Sequence, residues 1–390
     1  MDKPYYPHQP ISTIESLARC LGVTTITLNS ISSAIDSSYT EFVISSKNKE
    51  RTVYEPKFEL KRIQKRINNR IFEKVEFPRY LHGGIKSLEH KRDYVENAKM
   101  HSNTSVETII GLDVKNFYDN IKKERVYIIY SQFFNFPHEV SELLTQLTTY
   151  KNKVPQGACT SSYLANLIFF NSEYGLVSKL RGKKITYTRL LDDVTISAAQ
   201  KISDEEITKV IRDVSALFTK HGLKLNSGKT RVHHDKYAAD SFEVTGLWVG
   251  NIAPKTRRQE RRYIRSLVHA CENEYLVDKY SSDYHALWNK TSGLVAKLYR
   301  LEQSNHKALR ERLGKILPLF DDVAKRKIII DCKSMLKIAP CSLNYGKLKR
   351  LNLIYSKLGI LSRNYKCEAK LWRKKLKAHF VKHPKKSEVW

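Results

Sequence analysis

The chain has 390 residues, 41% hydrophobic and 10% aromatic, which suffices for two or three folded domains and excludes a disordered tail. It carries 69 Lys and Arg against 40 Asp and Glu, a net charge of +29; such self-repulsion is relieved by a polyanion, nucleic acid first and an anionic membrane surface second. No run approaches the ~20 apolar residues of a membrane span, and the six scattered cysteines form no CxxC pair, so neither a membrane anchor nor a zinc or disulfide framework is expected.

The N-terminal MDKPYYPHQPISTIESL lacks the apolar core of a signal peptide, and a reducing cytoplasm is the expected setting. Ser12-Thr13-Ile14-Glu15 reads as a capping box before a short helix ending near Cys20. Tyr39 to Val53 reads as two strands around a polar turn. Leu60, Ile63, Ile67 and Ile71 give helical spacing from Lys57 to Lys74. A buried strand follows from Val106 to Val114, then helices over Glu124–Phe134 and His138–Leu147. Val154–Gly157 reads as a turn and Thr160–Leu180 as one long apolar helix. Ile185–Ile196 reads as a hairpin, Asp204–His221 as a helix stopped by Gly222, and Lys229–Val232 and Phe242–Val249 as strands. The alternation predicts an α+β domain with an antiparallel sheet. Beyond Pro254 the pattern is helical and basic, which puts a boundary near residue 252. Residues 361–390 hold ten Lys or Arg against two Glu, with Tyr365, Trp372, Phe380 and Trp390 interleaved.

Asp113 ends the predicted strand VETIIGLDV, and Asp192-Asp193 sit at the tip of the hairpin YTRLLDDVTIS. Aspartates at a strand end and a neighbouring hairpin tip can converge on two divalent cations about 3.5–4 Å apart, the arrangement nucleotidyl transfer uses; hard Mg²⁺ takes such carboxylate oxygens. Many strands end in Asp, so on spacing alone polar turns and a metal site both stand.

The ordered blocks change the reading. Asp113 with VKNFYDNI, then VPQGACTSSYLANLIF, the Asp-Asp hairpin, HGLKLNSGKTRV and FEVTGLWVG resemble the palm motifs of reverse transcriptases, and FVISSKNKERTVYEPKFELKRIQKRI resembles their basic fingers hairpin and helix. The resemblance spans roughly residues 39–250. Asn97-Ala98-Lys99-Met100-His101 and Val244-Thr245-Gly246 are similar to the N-A-x-x-H and V-T-G signatures of retron reverse transcriptases.

The resemblance implies a right-hand polymerase: an N-terminal segment and fingers (1–105), a palm (106–252), a helical thumb (253–320) and a basic C-terminal extension (321–390). It implies Asp113, Asp192 and Asp193 as ligands for two Mg²⁺ ions, with the Val114 carbonyl as a further candidate. Tyr118 would exclude a 2′-hydroxyl, Gln156 and Gly157 would lie against the incoming dNTP, Lys47 and Arg51 would clamp the triphosphate, and Lys229 would serve the leaving pyrophosphate. Asn97, His101, Val244, Thr245 and Gly246 would contact a cognate structured non-coding RNA, although His101 reads equally as a structural histidine. The thumb candidates are Arg257–Arg265 and Trp288–Arg300, and the C-terminal aromatics read either as a grip on single-stranded RNA or as a solvated helix. Members of the family make a branched RNA–DNA product and act in anti-phage defence with a separate effector protein.

One departure is clear. Leu190-Leu191 stand where the retron hairpin has Tyr-Ala, which leaves the metal ligands in place and changes what faces the primer end. Two other readings follow: another defence-associated or group II intron-like reverse transcriptase, or an RNA-binding scaffold with weak polymerase activity that restrains an effector.

Overall fold

The computed structural model describes residues 2–46, 49–87, 89–103, 105–234, 242–303, 305–340 and 344–381. The chain divides into two compact units, Met1–Pro254 and Lys255–Trp390.

In the first unit, α1 (Ile14–Leu21) is capped by Thr13, whose hydroxyl accepts the Ser16 N–H, and ended by Gly22 at φ +67°. After α2 (Thr25–Ser33), β1 (Tyr39–Ser46) and β2 (Lys49–Pro56) form an antiparallel hairpin that sets Ile44 opposite Arg51. Helix α3 (Phe58–Arg70) buries Leu60, Ile63 and Ile67. The chain continues through β3 (Leu81–His82), α4 (Tyr94–Met100), β4 (Thr108–Asp113), α5 (Phe117–Asn120), α6 (Lys123–Ile128) and α7 (His138–Thr148). Then come α8 (Ser161–Leu167), α9 (Glu173–Gly182), β5 (Ile185–Leu190), β6 (Asp193–Ala198), α10 (Asp204–Lys220), β7 (Arg231–His233), β8 (Glu243–Val244) and β9 (Leu247–Trp248).

Five strands form one sheet in the order β3-β5-β6-β4-β7. One face packs Ile110, Leu112, Val194 and Ile196 into the same core as Leu164, Leu167, Phe169, Val214 and Phe218 of the covering segments. The alternating strand pattern thus places apolar side chains inward and leaves the Asp-bearing ends at a rim.

Three expectations change. The sheet is mixed, because β3 adds to β5 in parallel, with Leu81 opposite Arg189. The helix expected over Thr160–Leu180 is two helices, α8 and α9; the break turns the chain so that Glu173, at the start of α9, reaches the buried guanidinium of Arg189. The strand expected over Phe242–Val249 folds back on itself as β8 and β9 around Thr245 (φ +51°) and Gly246 (φ +78°), the two left-handed positions of a tight hairpin turn.

The second unit is helical. Helices α11 (Arg258–Asp278), α12 (Ser282–Arg300) and α13 (His306–Lys315) pack around Ile264, Val268, Tyr284, Val295 and Leu313. Helices α14 (Asp322–Leu336), α15 (Tyr345–Leu361) and α16 (Lys366–His379) pack around a separate core of Ile328, Met335, Leu351, Leu358, Trp372 and Phe380. Trp372 and Phe380 are therefore core residues and offer no stacking platform to single-stranded RNA; Trp390 lies outside the described residues. Residues 255–390 hold 33 Lys and Arg against 12 Asp and Glu, compared with 36 and 28 in residues 1–254. Most of the net charge belongs to this unit.

Candidate active site

Strand pairing builds the site. β4 and β6 run antiparallel with Asp113 directly opposite Asp193, and β5 and β6 close with Leu190 opposite Asp193. Only Leu191 and Asp192 connect those two strands, so both aspartates of the hairpin must lie at the end of β4. The Val114 N–H donates to the Asp192 carbonyl at 3.1 Å, which ties the hairpin tip to the strand beside it. Val114 also bridges to Leu225, and its own carbonyl accepts none of these bonds.

Asp113, Asp192 and Asp193 line one cleft of about 640 Å³ together with Lys229, Arg231, Arg51, Leu190, Tyr94, Thr245 and Gly246. Burial pushes the Asp192 carboxyl up, helped by Asp113. Burial also raises Asp193, with Asp192 and Asp113 as further causes, to about 6. Lys229 Nζ sits 2.5 Å from Asp113 Oδ1, and the Asn226 amide is 3.4 Å from Asp113 Oδ2. Among the described residues no three carboxylate, histidine or cysteine side chains are already drawn into a metal cage. The donor set nevertheless fits a hard divalent cation: three carboxylates on one rim, two of them raised by burial and by the neighbouring carboxylates.

Tyr118 stands half-buried on α5, after Asn116 in the left-handed region at φ +48°. Burial raises its hydroxyl, with Ser162 as its hydrogen-bond partner and Asp192 adding to the rise. The Tyr54 N–H of β2 donates to the Gln156 carbonyl at 2.8 Å. Gly157 has φ +108°, and a Cβ there would stand 2.6 Å from Val53 Cγ1. Backbone permissiveness and close approach both require glycine at this point. Lys47 lies outside the described residues.

The V-T-G turn meets the helix that carries the N-A-x-x-H signature: the Thr245 hydroxyl donates to the carbonyl of Tyr94, the first residue of α4, at 3.0 Å. Their residues differ in accessibility, however. Asn97, His101 and Val244 are buried and do not present a surface to RNA, whereas Thr245 and Gly246 line the cleft. His101 joins Ser197 of β6 and Thr188 of β5, each at 2.7 Å. Burial, then the neighbouring His82, depresses its pKa to about 3, so the ring is neutral and structural. Both polar atoms of the Asn97 amide are buried without a protein partner. Replacing His101 with Ala is expected to cost about 2–3 kcal/mol by orphaning two buried hydroxyls. A histidine held neutral contributes stability above pH 6.5 that is lost as pH falls toward 3. Thermal melts of wild type and the variant should therefore differ most above pH 6.5 and converge in acid.

Sequence reasoning passed over Arg189 and Glu173. The signal was present: Arg189 shares the inward register of β5 with Ile185 and Tyr187, where a charge demands a partner.

Comparison with known proteins bears on the chain as a whole. A sequence profile for reverse transcriptase (RNA-dependent DNA polymerase) matches residues 44–252. The chain is 40% identical over 380 residues to the retron Se72 reverse transcriptase of Salmonella heidelberg, covering 97% of this chain and 99% of that protein. It is 31% identical over 393 residues to the retron Ec48 reverse transcriptase of Escherichia coli, covering 95% and 92%. Telomerase from Candida albicans in complex with a telomeric RNA fragment superposes with a TM-score of 0.40 at 13% identity, over 86% of this chain and 65% of that one. The α+β architecture is that of a right-hand polymerase, and the chain belongs to the retron reverse transcriptases, RNA-directed DNA polymerases.

Proposed function

We propose that this polymerase copies part of a cognate structured non-coding RNA into DNA, leaving a branched RNA–DNA product used in anti-phage defence beside a separate effector. The observation that carries the site assignment is the single cleft that collects Asp113, Asp192, Asp193, Lys229 and Arg51. Asp113, Asp192 and Asp193, with the Val114 carbonyl, would hold two Mg²⁺ ions, which when bound favour ionisation of the attacking hydroxyl and shield the leaving pyrophosphate. The chain's own residues do the remaining work. Arg51, with Lys47, meets the triphosphate; Gln156 and the bare backbone of Gly157 lie against the nucleotide; Lys229 is held at the site by Asp113. Thr245 and Gly246 offer the exposed part of the V-T-G turn to RNA, and the basic second unit supplies long-range attraction for its backbone.

Tyr118 serves as the sugar gate. Replacing it with Ala should raise ribonucleotide incorporation relative to deoxynucleotide by at least about tenfold, roughly 1.4 kcal/mol of lost discrimination, measured as the ratio of kcat/KM for rNTP and dNTP.

The whole reading is tested by expressing the chain with its upstream flanking DNA and treating the co-purified nucleic acid with RNase, DNase and debranching enzyme. A small DNA whose mobility shifts on debranching is expected. Unbranched DNA would move the chain's priming chemistry to that of another reverse-transcriptase family. A second reading, an RNA-binding scaffold of low activity, is favoured by Leu191, which holds φ +59° at the catalytic turn where bulky residues are strained; bound RNA without DNA would support it.

A further inference from the structure

The hairpin that carries Asp192 and Asp193 is not held by its strand pairing alone. Arg189, three residues before Asp192, is fully buried, and so is Glu173, at 2% exposure. Arg189 Nε donates to Glu173 Oε1 at 2.6 Å and Nη2 to Oε2 at 2.8 Å. The remaining donors reach the carbonyls of Ala165 (3.2 Å), Asn166 (3.1 Å) and Leu191 (3.2 Å). These bonds account for all five N–H donors of a guanidinium. The Phe169 ring lies beneath it, 4.9 Å from Cζ, and the Tyr187 hydroxyl donates to Glu173 Oε1 at 2.8 Å.

The bond to Leu191 separates this cluster from an ordinary buried ion pair. Leu191 is the left-handed residue of the two-residue turn, and the next residue is Asp192. The same guanidinium grips the carboxyl end of α8, whose helix follows the Pro155-Gln156-Gly157 loop, and the first turn of α9. A second tie runs in parallel: the Asn166 amide donates to the Gly83 carbonyl at 2.9 Å, and at Gly83 an added Cβ would stand 3.0 Å from Leu191 and 3.3 Å from Leu190. The strained turn is thus fixed from one side by a carbonyl bond and from the other by packing.

We infer that Arg189, braced by Glu173, is a positioning residue that sets the catalytic turn against the nucleotide-binding loop. It is fully buried and is not among the residues that line the cleft. It determines where the backbone of Leu191 stands, and therefore where the Asp192 and Asp193 carboxylates point. A lysine at this position keeps the charge but has three donors and no planar fork, so it cannot serve Glu173, α8 and the turn together. The inference rests on the assignment of the Asp113, Asp192 and Asp193 rim as the metal site.

The test uses the full chain on a primed RNA template, with kcat, KM for dNTP, the Mg²⁺ concentration for half-maximal rate and Tm measured together. Two variants are compared: Arg189→Lys, and Arg189→Met combined with Glu173→Leu. The double variant removes both charges of the buried pair together, so neither is left uncompensated, but it leaves the Tyr187 hydroxyl and the three carbonyls without their partners. Expected are a lowered Tm in the double variant, a smaller loss in Arg189→Lys, and, at a temperature where both are folded, a kcat lowered by about 100-fold, as for a catalytic group displaced on the ångström scale, a raised Mg²⁺ requirement and an unchanged KM. Wild-type kcat and Mg²⁺ dependence in either folded variant would overturn the inference and reduce the pair to a stabilising contact. If the double variant does not fold, Arg189→Lys decides on the same criteria. Asp192→Asn runs alongside: its retention of activity would mean that the metal-site assignment has failed and not the positioning argument.

Discussion

Replacing Asp193 with Asn is expected to lower DNA synthesis at least about 10³-fold, ~4 kcal/mol of transition-state stabilisation, while making the metal-free protein more stable. The two effects have one cause. Partial desolvation by the cleft walls, together with Asp192 and Asp113, raises the Asp193 carboxyl to about 6, so the folded protein holds that proton more tightly than the unfolded chain, whose carboxyl titrates near 3.8. The group's contribution is favourable in acid and is lost as pH rises through about 6. At pH 7.5 the ionised carboxylate is a penalty. Because the side chain is exposed to the cleft, the penalty is discounted to about 1 kcal/mol, or a Tm gain of ~2–4 °C for the Asn variant. Mg²⁺ should raise the Tm of wild type and leave that of the variant nearly unmoved. Paired melts at pH 5 and 7.5 check the sign: the gain should be present at the higher pH and shrink at the lower. A variant that is inactive and also destabilised at pH 7.5 would contradict the electrostatic account.

Gly157→Ala should have the next largest effect, and on a different quantity. A side chain at φ +108° is strained wherever it stands, and its Cβ would lie 2.6 Å from Val53 Cγ1 and 3.1 Å from the Tyr54 carbonyl. The same stretch of β2 donates the Tyr54 N–H to the Gln156 carbonyl, so the substitution pushes the β1–β2 hairpin off the loop that would meet the nucleotide. A cost of roughly 2–3 kcal/mol is expected, read as a 30- to 100-fold rise in KM for dNTP, about 1.4 kcal/mol per decade, with the pH dependence of kcat unchanged. A KM within twofold of wild type would show that the loop does not set nucleotide affinity.

The sequence made these residues findable because local rules governed them. Asp113 ends a strand, Asp192-Asp193 sit at the tip of a hairpin, and Thr13 starts a helix by capping chemistry. Where long-range partners decide, pattern reading fell short. The N-A-x-x-H spacing puts Asn97 and His101 on one face of α4 but cannot say that this face turns to Ser197 and Thr188 and not to RNA. Val244 and Thr245 are neighbours in sequence, yet alternation buries one and opens the other to the cleft. The break between α8 and α9 has no glycine or proline at residues 168–172 to announce it; its reason lies in Arg189, on another strand. Trp372 and Phe380 were legible as aromatics among cations, and only the packing of α14, α15 and α16 shows that these two rings turn inward.

Leu190-Leu191 remain the feature that distinguishes this cleft. Leu190 lines it, and Leu191 packs toward Gly83. An aliphatic surface therefore lines the cleft beside the three carboxylates. In the structure Lys229 answers the charge of Asp113.

The most direct test of the central claim is a structure of the full chain soaked with Mn²⁺, located by anomalous scattering. The account predicts manganese on the rim formed by Asp113, Asp192 and Asp193, with Lys229 released from Asp113. Manganese bound elsewhere, or an Asp113–Lys229 pair that persists at saturating metal, would contradict it.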